Sequence, residues 1–244
     1  MTHTSSLMLI SSSYVCTRPR EYLGYCKDEL TEFLPTGSRV LFVPFAYPDY
    51  SKYTDLVRST FAGFRVSVVG AHETHVSSVD SLRSRFDVVF CGGGNTFLLL
   101  RELYSTQLVP VIRTLVEAGM RYMGSSAGAN VACPTIGTTN DMPIVQPPSH
   151  EGLGLIPFNI NPHYYERPQG FEHMGETRRG RIHEFLTHNA VPVLALREGA
   201  ILRIEAGQAR LLGLNGGILF RRGTDGAPDE RPVDCGESVS FLLT

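Results

Sequence analysis

The hydrophobic and polar positions of this chain alternate between short apolar runs and longer segments with helical spacing. Runs rich in apolar and β-branched residues predict strands at 7–10, 39–44, 64–70, 86–90 and 121–123. Apolar residues recurring every three or four positions predict helices over 20–34, 53–61, 79–85, 97–104 and 109–117. This alternation, at spacings that suit parallel crossovers, predicts an α/β fold with a mostly parallel, doubly wound sheet.

The last fifty residues show a different pattern, in which short apolar runs are separated by glycine-containing turns. Further strands are predicted at 191–196, 200–204, 208–212 and 218–221, and a last apolar run lies at 239–242. We expect a β meander added to one edge of the sheet. Residues 224–230, which contain Asp, Gly and Pro, predict a solvated loop.

Length and composition favour one globular domain over residues 1–244, because 42% of the residues are hydrophobic. The formal net charge is -2, which gives no electrostatic reason to expect nucleic acid or an anionic membrane as a partner. The five cysteines are an odd number without a C-x-x-C pair, which favours reduced thiols over disulfides or a zinc cluster. Residues 1–13 lack the basic region of a signal peptide, so we expect a cytoplasmic protein.

Residues 124–128 (GSSAG) form a G-x-S-x-G motif, which is typical of a nucleophilic serine at a sharp turn between a strand and a helix. Small residues on both sides of the serine let such a turn close without steric clashes. The context fits, because an apolar strand at 121–123 precedes the motif and a small, helix-compatible segment at 127–133 follows it. Ser126 is therefore a candidate nucleophile. The alternative is a turn without chemistry, since the pentapeptide is common by chance.

Residues 92–95 (GGGN) also follow a predicted strand, at the carboxyl edge where α/β sheets form their sites. Glycine lets backbone amides approach a ligand closely. An amide of this run, from Gly93, Gly94 or Asn95, together with that of Ala127 would form an oxyanion hole or bind the substrate. The alternative is a tight turn into a helix capped by Asn95 or a phosphate loop, but the spacing matches neither of the common nucleotide-binding glycine motifs.

His163 is a candidate general base, since histidine is the usual partner of a catalytic serine. A third residue must orient its imidazole, and both Asp141 and Glu198 are candidates. Their alternatives are a turn aspartate and a solvated loop glutamate. The order of these residues along the chain does not suit an α/β-hydrolase, in which the histidine comes last.

Several segments together resemble the peptidase E family, the α-aspartyl dipeptidases. They lie at 91–97 (CGGGNTF), 124–130 (GSSAGAN), 132–136 (ACPTI), 138–145 (TTNDMPIV), 161–163 (NPH) and 175–178 (GETR). The resemblance covers most of the chain, is most specific over 124–145, and weakens after about residue 213. It implies a class I glutamine amidotransferase-like fold and hydrolysis of dipeptides with an N-terminal aspartate, without a metal or cofactor.

The resemblance also implies roles for individual residues. Ser126 matches the nucleophile and His163 the base, while Asp141 and Glu198 both match proposed third members. Arg178 matches an arginine that holds the aspartate of the substrate, which agrees with the bidentate fit between a guanidinium and a carboxylate. The chain differs from the family pattern at Ser125, where a bulkier residue can stand, and in the length of 163–175.

Three other functions remain as alternatives. A glutamine amidotransferase of this fold uses cysteine where this chain has Ser126, which argues against that class. A cyanophycinase-like hydrolase would act on an arginine-bearing aspartate polymer and require acidic subsites. A non-catalytic binding protein would retain the fold, but the presence of a serine, a histidine and two acids argues against it.

The expected partners are small Asp-Xaa peptides and, as a further candidate, a second copy of the chain in a homodimer.

Overall fold

The structure is a computed structural model that describes residues 6–16, 20–74, 79–166, 175–224 and 226–244. Its strands, in chain order, are β1 (Leu7–Ile10), β2 (Arg39–Val43), β3 (Ser67–Gly70), β4 (Val88–Cys91), β5 (Arg121–Ser125), β6 (Asn159–Tyr164), β7 (Val193–Arg197), β8 (Ala200–Glu205), β9 (Gln208–Gly213), β10 (Gly217–Arg222) and β11 (Pro228–Val233). Its α-helices are α1 (Lys27–Phe33), α2 (Tyr50–Phe61), α3 (Val79–Arg85), α4 (Thr96–Ser105), α5 (Leu108–Glu117), α6 (Ala127–Val131) and α7 (Arg178–His188).

The larger sheet has the strand order β3-β2-β4-β5-β1-β8-β9. Strands β3, β2, β4, β5 and β1 pair in parallel, and β8 and β9 continue the sheet with antiparallel pairing. Every residue of β1 and β4 is buried, because both faces of the sheet are covered. The predicted α/β class with a mostly parallel sheet is confirmed, and of the predicted meander β8 and β9 extend this sheet at one edge.

A second sheet, with the order β11-β10-β7-β6, was not expected from the sequence. Strand β10 therefore leaves the meander and pairs with β7. The prediction of a loop over residues 224–230 is wrong in its second half, because β11 begins at Pro228 and pairs along its length with β10. Proline is compatible with this position because β11 is an edge strand. The apolar run at 239–242 lies largely in a 3₁₀ helix, Ser240–Leu243.

Local capping explains where the helices that frame the site begin. The Asp49 side chain accepts a hydrogen bond from the Lys52 amide and starts α2 three residues earlier than predicted. Asn95 caps α4 in the same way. The helix predicted over 20–34 is shorter, because Leu23 has a positive φ of 53° and a 3₁₀ turn precedes α1.

The carboxyl ends of β1, β4 and β5 lie against those of β6 and β7, and this junction holds the candidate site. Ser11, directly after β1, connects the two sheets: its hydroxyl donates to the Leu196 carbonyl at 3.0 Å and accepts from the His163 amide at 2.9 Å. One hydrophobic cluster includes side chains from both sheets, such as Leu9 and Leu219. Within the described ranges, no helix has both the length and the apolar character needed to cross a bilayer.

Candidate active site

Ser126 lies at the turn between β5 and α6 with φ 53° and ψ -108°, a backbone conformation that non-glycine residues rarely adopt. Its amide donates to the Ile10 carbonyl at 2.9 Å. The flanking glycines are required by close packing: a Cβ at Gly128 would lie 2.0 Å from the Cys91 carbonyl oxygen, and one at Gly124 would lie 2.4 Å from that of Gly128. The local structure is therefore the strained strand-to-helix turn that the G-x-S-x-G spacing predicts.

His163 lies opposite the serine, with its Nε2 2.7 Å from the Ser126 hydroxyl oxygen. It belongs to β6, has φ 56°, and falls within an irregularity of the β6–β7 pairing between Asn161 and Tyr164. A bulge of this kind redirects a side chain out of the regular alternation of a strand. Anchored by the Ser11 hydroxyl, the bulge aims the imidazole at the end of β5.

Glu198 follows β7 and accepts a hydrogen bond from the other ring nitrogen of His163, with Nδ1 and Oε1 2.7 Å apart. Burial tends to raise the pKa of Glu198, but hydrogen bonds from His163 and Ser12 and the attraction of Arg178 hold that pKa below its usual range. An ionised carboxylate only accepts hydrogen bonds, so Nδ1 carries the proton and Nε2 accepts from the Ser126 hydroxyl. This arrangement allows the histidine to take the serine proton.

Asp141, the other candidate acid, binds the start of α4 instead of His163. Its Oδ2 accepts from the Thr96 amide at 2.8 Å and from the Thr96 hydroxyl at 2.6 Å. The Asn140 amide group donates to the Pro162 carbonyl at 2.8 Å, which holds this loop against the strand that carries His163. Asp141 therefore lines the same cavity as the serine, and its carboxylate binds Thr96 and not the imidazole.

The glycine run lies beside the serine, and its amides differ in what they bind. The Gly93 amide donates to the Tyr53 hydroxyl at 2.9 Å. In the described part of the chain, the amides of Gly94 and Ala127 have no hydrogen-bond acceptor. Gly94 has φ 134°, and a Cβ there would lie 2.2 Å from the Ala46 carbonyl oxygen. These two amides are available to an oxyanion.

Asn95 and Arg178 are held by neighbouring backbone. The Asn95 side chain caps α4 through the Leu98 amide and donates to the Met142 carbonyl at 2.9 Å, so its contacts are structural. Arg178 is the first residue of α7 and donates to the Pro162 carbonyl at 3.3 Å, one residue before the histidine. Burial lowers the pKa of its guanidinium, which nearby Tyr165 and Glu198 counteract. Among the described residues Arg178 forms no ion pair with a carboxylate.

A cavity of about 680 Å³ opens over the serine, within the size range of small-molecule sites. Its wall includes residues that the sequence did not single out: Ser12, Tyr22, Tyr53, Arg20 and Lys52. The position of Ser12 two residues after β1, at the carboxyl edge of the sheet, was a usable signal. The two tyrosines and the two cations come from α2 and the segment before α1, where no local pattern marks them.

Comparisons with known proteins found relatives that are similar to this chain in sequence and in fold. A model of peptidase family S51 matches residues 7–212. The chain is 48% identical to the Streptomyces coelicolor protein named "Peptidase E", over 98% of this chain and 95% of that protein. It is 43% identical to the Drosophila melanogaster protein named "Probable alpha-aspartyl dipeptidase", over 100% of this chain and 99% of that protein. The crystal structure of a peptidase from an acI-B1 actinobacterium has a similar fold, with a TM-score of 0.68, 18% identity, and coverage of 98% of this chain and 97% of that one.

Proposed function

Because the chain belongs to peptidase family S51, we propose that it is a serine dipeptidase that hydrolyses Asp-Xaa dipeptides with a free N-terminal aspartate. The observation that carries the proposal is the continuous hydrogen-bonded series from Ser126 through His163 to Glu198, with both links at 2.7 Å. A serine hydrogen-bonded to a base that is oriented by an acid is the arrangement used for serine-type acyl transfer, and it occurs on unrelated folds.

In the proposed mechanism, the Ser126 oxygen attacks the carbonyl carbon of the aspartyl residue while His163 Nε2 takes the hydroxyl proton. Glu198 stabilises the imidazolium that forms. The histidine then gives its proton to the leaving amine, and the peptide C–N bond breaks. Water, deprotonated by the same imidazole, hydrolyses the aspartyl-serine ester and releases free aspartate.

The tetrahedral intermediate carries a negative oxygen that the amides of Gly94 and Ala127 would bind. Ala127 follows the serine directly, Gly94 lines the same cavity, and neither amide has an acceptor within the described ranges. The Gly93 amide is occupied by Tyr53 and serves to fix the loop. Loss of one such donor costs about 3 kcal/mol of transition-state stabilisation.

Recognition of the N-terminal aspartate requires a cation for its side chain and an anion for its α-ammonium. We assign the first role to Arg178, which is half-buried, lies beside His163 and has no carboxylate partner in the described part of the chain. We assign the second to Asp141, because Glu198 is occupied by the histidine whereas Asp141 lines the cavity and, among the described residues, its Oδ1 has no hydrogen-bond donor. A substrate with an acetylated amine would leave the Asp141 carboxylate without an ammonium partner.

The proposal also includes a cytoplasmic location and a homodimeric assembly. The five cysteines are free, which is consistent with the cytoplasmic location inferred from the sequence. A homodimer is proposed as the assembly, and sedimentation equilibrium tests it directly: a mass near 26.9 kDa would contradict it.

The function is tested by hydrolysis of Asp-Leu, Glu-Leu, Ala-Leu and N-acetyl-Asp-Leu with the wild type, Ser126→Ala and Arg178→Ala. We expect cleavage of Asp-Leu alone, no turnover by Ser126→Ala despite an unchanged melting temperature, and loss of Asp-Leu cleavage in Arg178→Ala. Substantial activity of Ser126→Ala would exclude the serine as nucleophile. Failure of the wild type to cleave any of the four peptides would favour the polymer-hydrolase or binding alternatives.

A further inference from the structure

Two cationic side chains, Arg20 and Lys52, lie in the wall of the cavity that contains Ser126. Lys52 belongs to the first turn of α2, and Arg20 lies shortly before α1. The roles assigned above to Arg178 and Asp141 account for the charges of the aspartyl residue. They leave these two cations without a function.

The turn of α2 that carries Lys52 is linked to the reacting serine through two contacts. The next residue, Tyr53, binds the Gly93 amide at 2.9 Å. A Cβ at Gly93 would lie 3.2 Å from the Ser126 Cβ, so the glycine is packed against the serine. The first turn of α2 therefore stands directly behind the glycine loop, on the rim of the same cavity.

Both cations lack an anionic partner within the described ranges. The two carboxylates three positions from Lys52 are engaged elsewhere: Asp49 accepts from the Lys52 backbone amide and Asp55 pairs with Arg58. Arg20 lies over the ring of Tyr14, with 4.9 Å from its guanidinium carbon to the ring centroid. By contrast Lys27, the other lysine of the chain, is paired with Glu21 at 2.7 Å.

The wall around these cations is aromatic and apolar. Tyr14, Tyr22, Tyr47 and Leu56 line the cavity, and Tyr47 and Leu56 remain 46% and 38% exposed. Apolar side chains that stay exposed beside unpaired cations form a suitable surface for one amino-acid residue with an apolar side chain and a free carboxylate. The leaving residue of a dipeptide has these features.

We infer that Lys52 and Arg20 form the subsite that binds the C-terminal carboxylate of the leaving residue, and that this contact restricts the enzyme to dipeptides. The inference rests on the proposed dipeptidase function. In Asp-Xaa the terminal carboxylate lies one residue beyond the scissile bond, a span of about 3.5 Å along the chain. A longer peptide would place a neutral amide at this position, where it cannot pair with the cations. Its next residue would collide with the tyrosines of the cavity wall.

The test compares Asp-Leu with its C-terminal amide, Asp-Leu-NH₂, in the wild type, Lys52→Met, Arg20→Gln and the double variant. We expect kcat/KM of the wild type to be about 10- to 100-fold higher for the free carboxylate, as for other hydrogen bonds to charged groups. The double variant should bring the two substrates to within a few-fold of each other by losing activity only on Asp-Leu. Lys27→Met is the matched control, since it removes the other lysine at a site outside the cavity wall.

A second substrate pair, Asp-Leu against Asn-Leu, separates the two carboxylates of the substrate. The inference requires this ratio to stay unchanged in Lys52→Met and Arg20→Gln. A collapse of the Asp/Asn ratio would mean that these cations bind the aspartate side chain, and an unchanged acid/amide ratio would mean that they bind neither; both results overturn the inference. Absence of Asp-Leu hydrolysis by the wild type would instead remove the dipeptidase proposal, and the subsite with it.

Discussion

Replacing Glu198 by glutamine and Asp141 by asparagine distinguishes the two acids by their kinetic effects. Glu198→Gln keeps the shape of the side chain but removes its negative charge. In the wild type the carboxylate accepts a hydrogen bond from His163 Nδ1, with the two atoms 2.7 Å apart. The substitution also allows the new amide to donate to Nδ1, which favours the wrong imidazole tautomer. The loss acts on the proton transfer, so it should appear in kcat with little change in KM.

The size of this loss follows from the exposure of the pair. A hydrogen bond to a charged group is worth about 1.5–3 kcal/mol, and each 1.4 kcal/mol or so is tenfold in rate, which gives a reduction in kcat of about 10- to 100-fold. The Glu198 side chain is 48% exposed, so water replaces part of the interaction. We therefore expect less than the roughly 10⁴-fold loss seen when the buried aspartate of a chymotrypsin-like protease becomes asparagine.

Asp141→Asn should act mainly on substrate binding, because its carboxylate binds Thr96 instead of the imidazole and is assigned to the α-ammonium. The expected change is an increase in KM of about 10-fold or more at a nearly unchanged kcat. Steady-state hydrolysis of Asp-Leu over a range of concentrations measures both constants. Glu166→Gln is the control, since that carboxylate pairs with Arg197 and makes no contact with His163. If Glu198→Gln keeps kcat while Asp141→Asn loses it at constant KM, the assignment of the two acids is refuted.

Three further predictions follow from the same contacts. Gly128→Ala should lower the free energy of unfolding by about 1–3 kcal/mol or more, because its Cβ would lie 2.0 Å from a carbonyl oxygen of β4; a denaturation midpoint equal to the wild type would contradict this. Tyr53→Phe should reduce kcat about 10-fold with little change in KM, since the glycine-loop amide loses its acceptor; a pure KM effect would be inconsistent with a role in fixing that loop. Hydrogen bonds from Arg39 hold the pKa of Asp87 below its unfolded value, so the stability of this pair is present above about pH 3.9 and is lost as the pH falls through the lowered pKa. Chemical denaturation should therefore show that Asp87→Asn destabilises the protein at pH 7, by less than about 1 kcal/mol for so exposed a pair, and that this difference shrinks as the pH falls through the lowered pKa.

The sequence alone predicted those features that depend on residues close together in the chain. The parallel sheet follows from the alternation of apolar runs and helical segments, and the turn at Ser126 follows from the two glycines that flank it. Element boundaries were less accurate where a cap decided them, as Asp49 does for α2. The loop predicted over β11 was wrong because that strand is stabilised by pairing with β10, and its own residues are mostly polar and exposed.

The choice between Asp141 and Glu198 required the folded chain. In sequence both are acids near a turn, and their positions relative to Ser126 and His163 favour neither. The β6 bulge turns the imidazole toward the end of β7, where Glu198 lies 35 positions away in sequence. The same packing brings Asp141 to the start of α4, where it binds Thr96, a residue 45 positions away in sequence.

The wall of the cavity depended still more on tertiary packing. Tyr53 binds a glycine amide 40 positions along the chain, and Lys52 reaches the cavity only because α2 packs behind that loop. Such contacts leave no periodic signal, because they depend on how helices and sheets pack and not on the local conformation of either partner. Local sequence thus determined the strands, the turns and the candidate nucleophile, while the long-range packing of the two sheets and α2 determined which acid, which amides and which cations surround it.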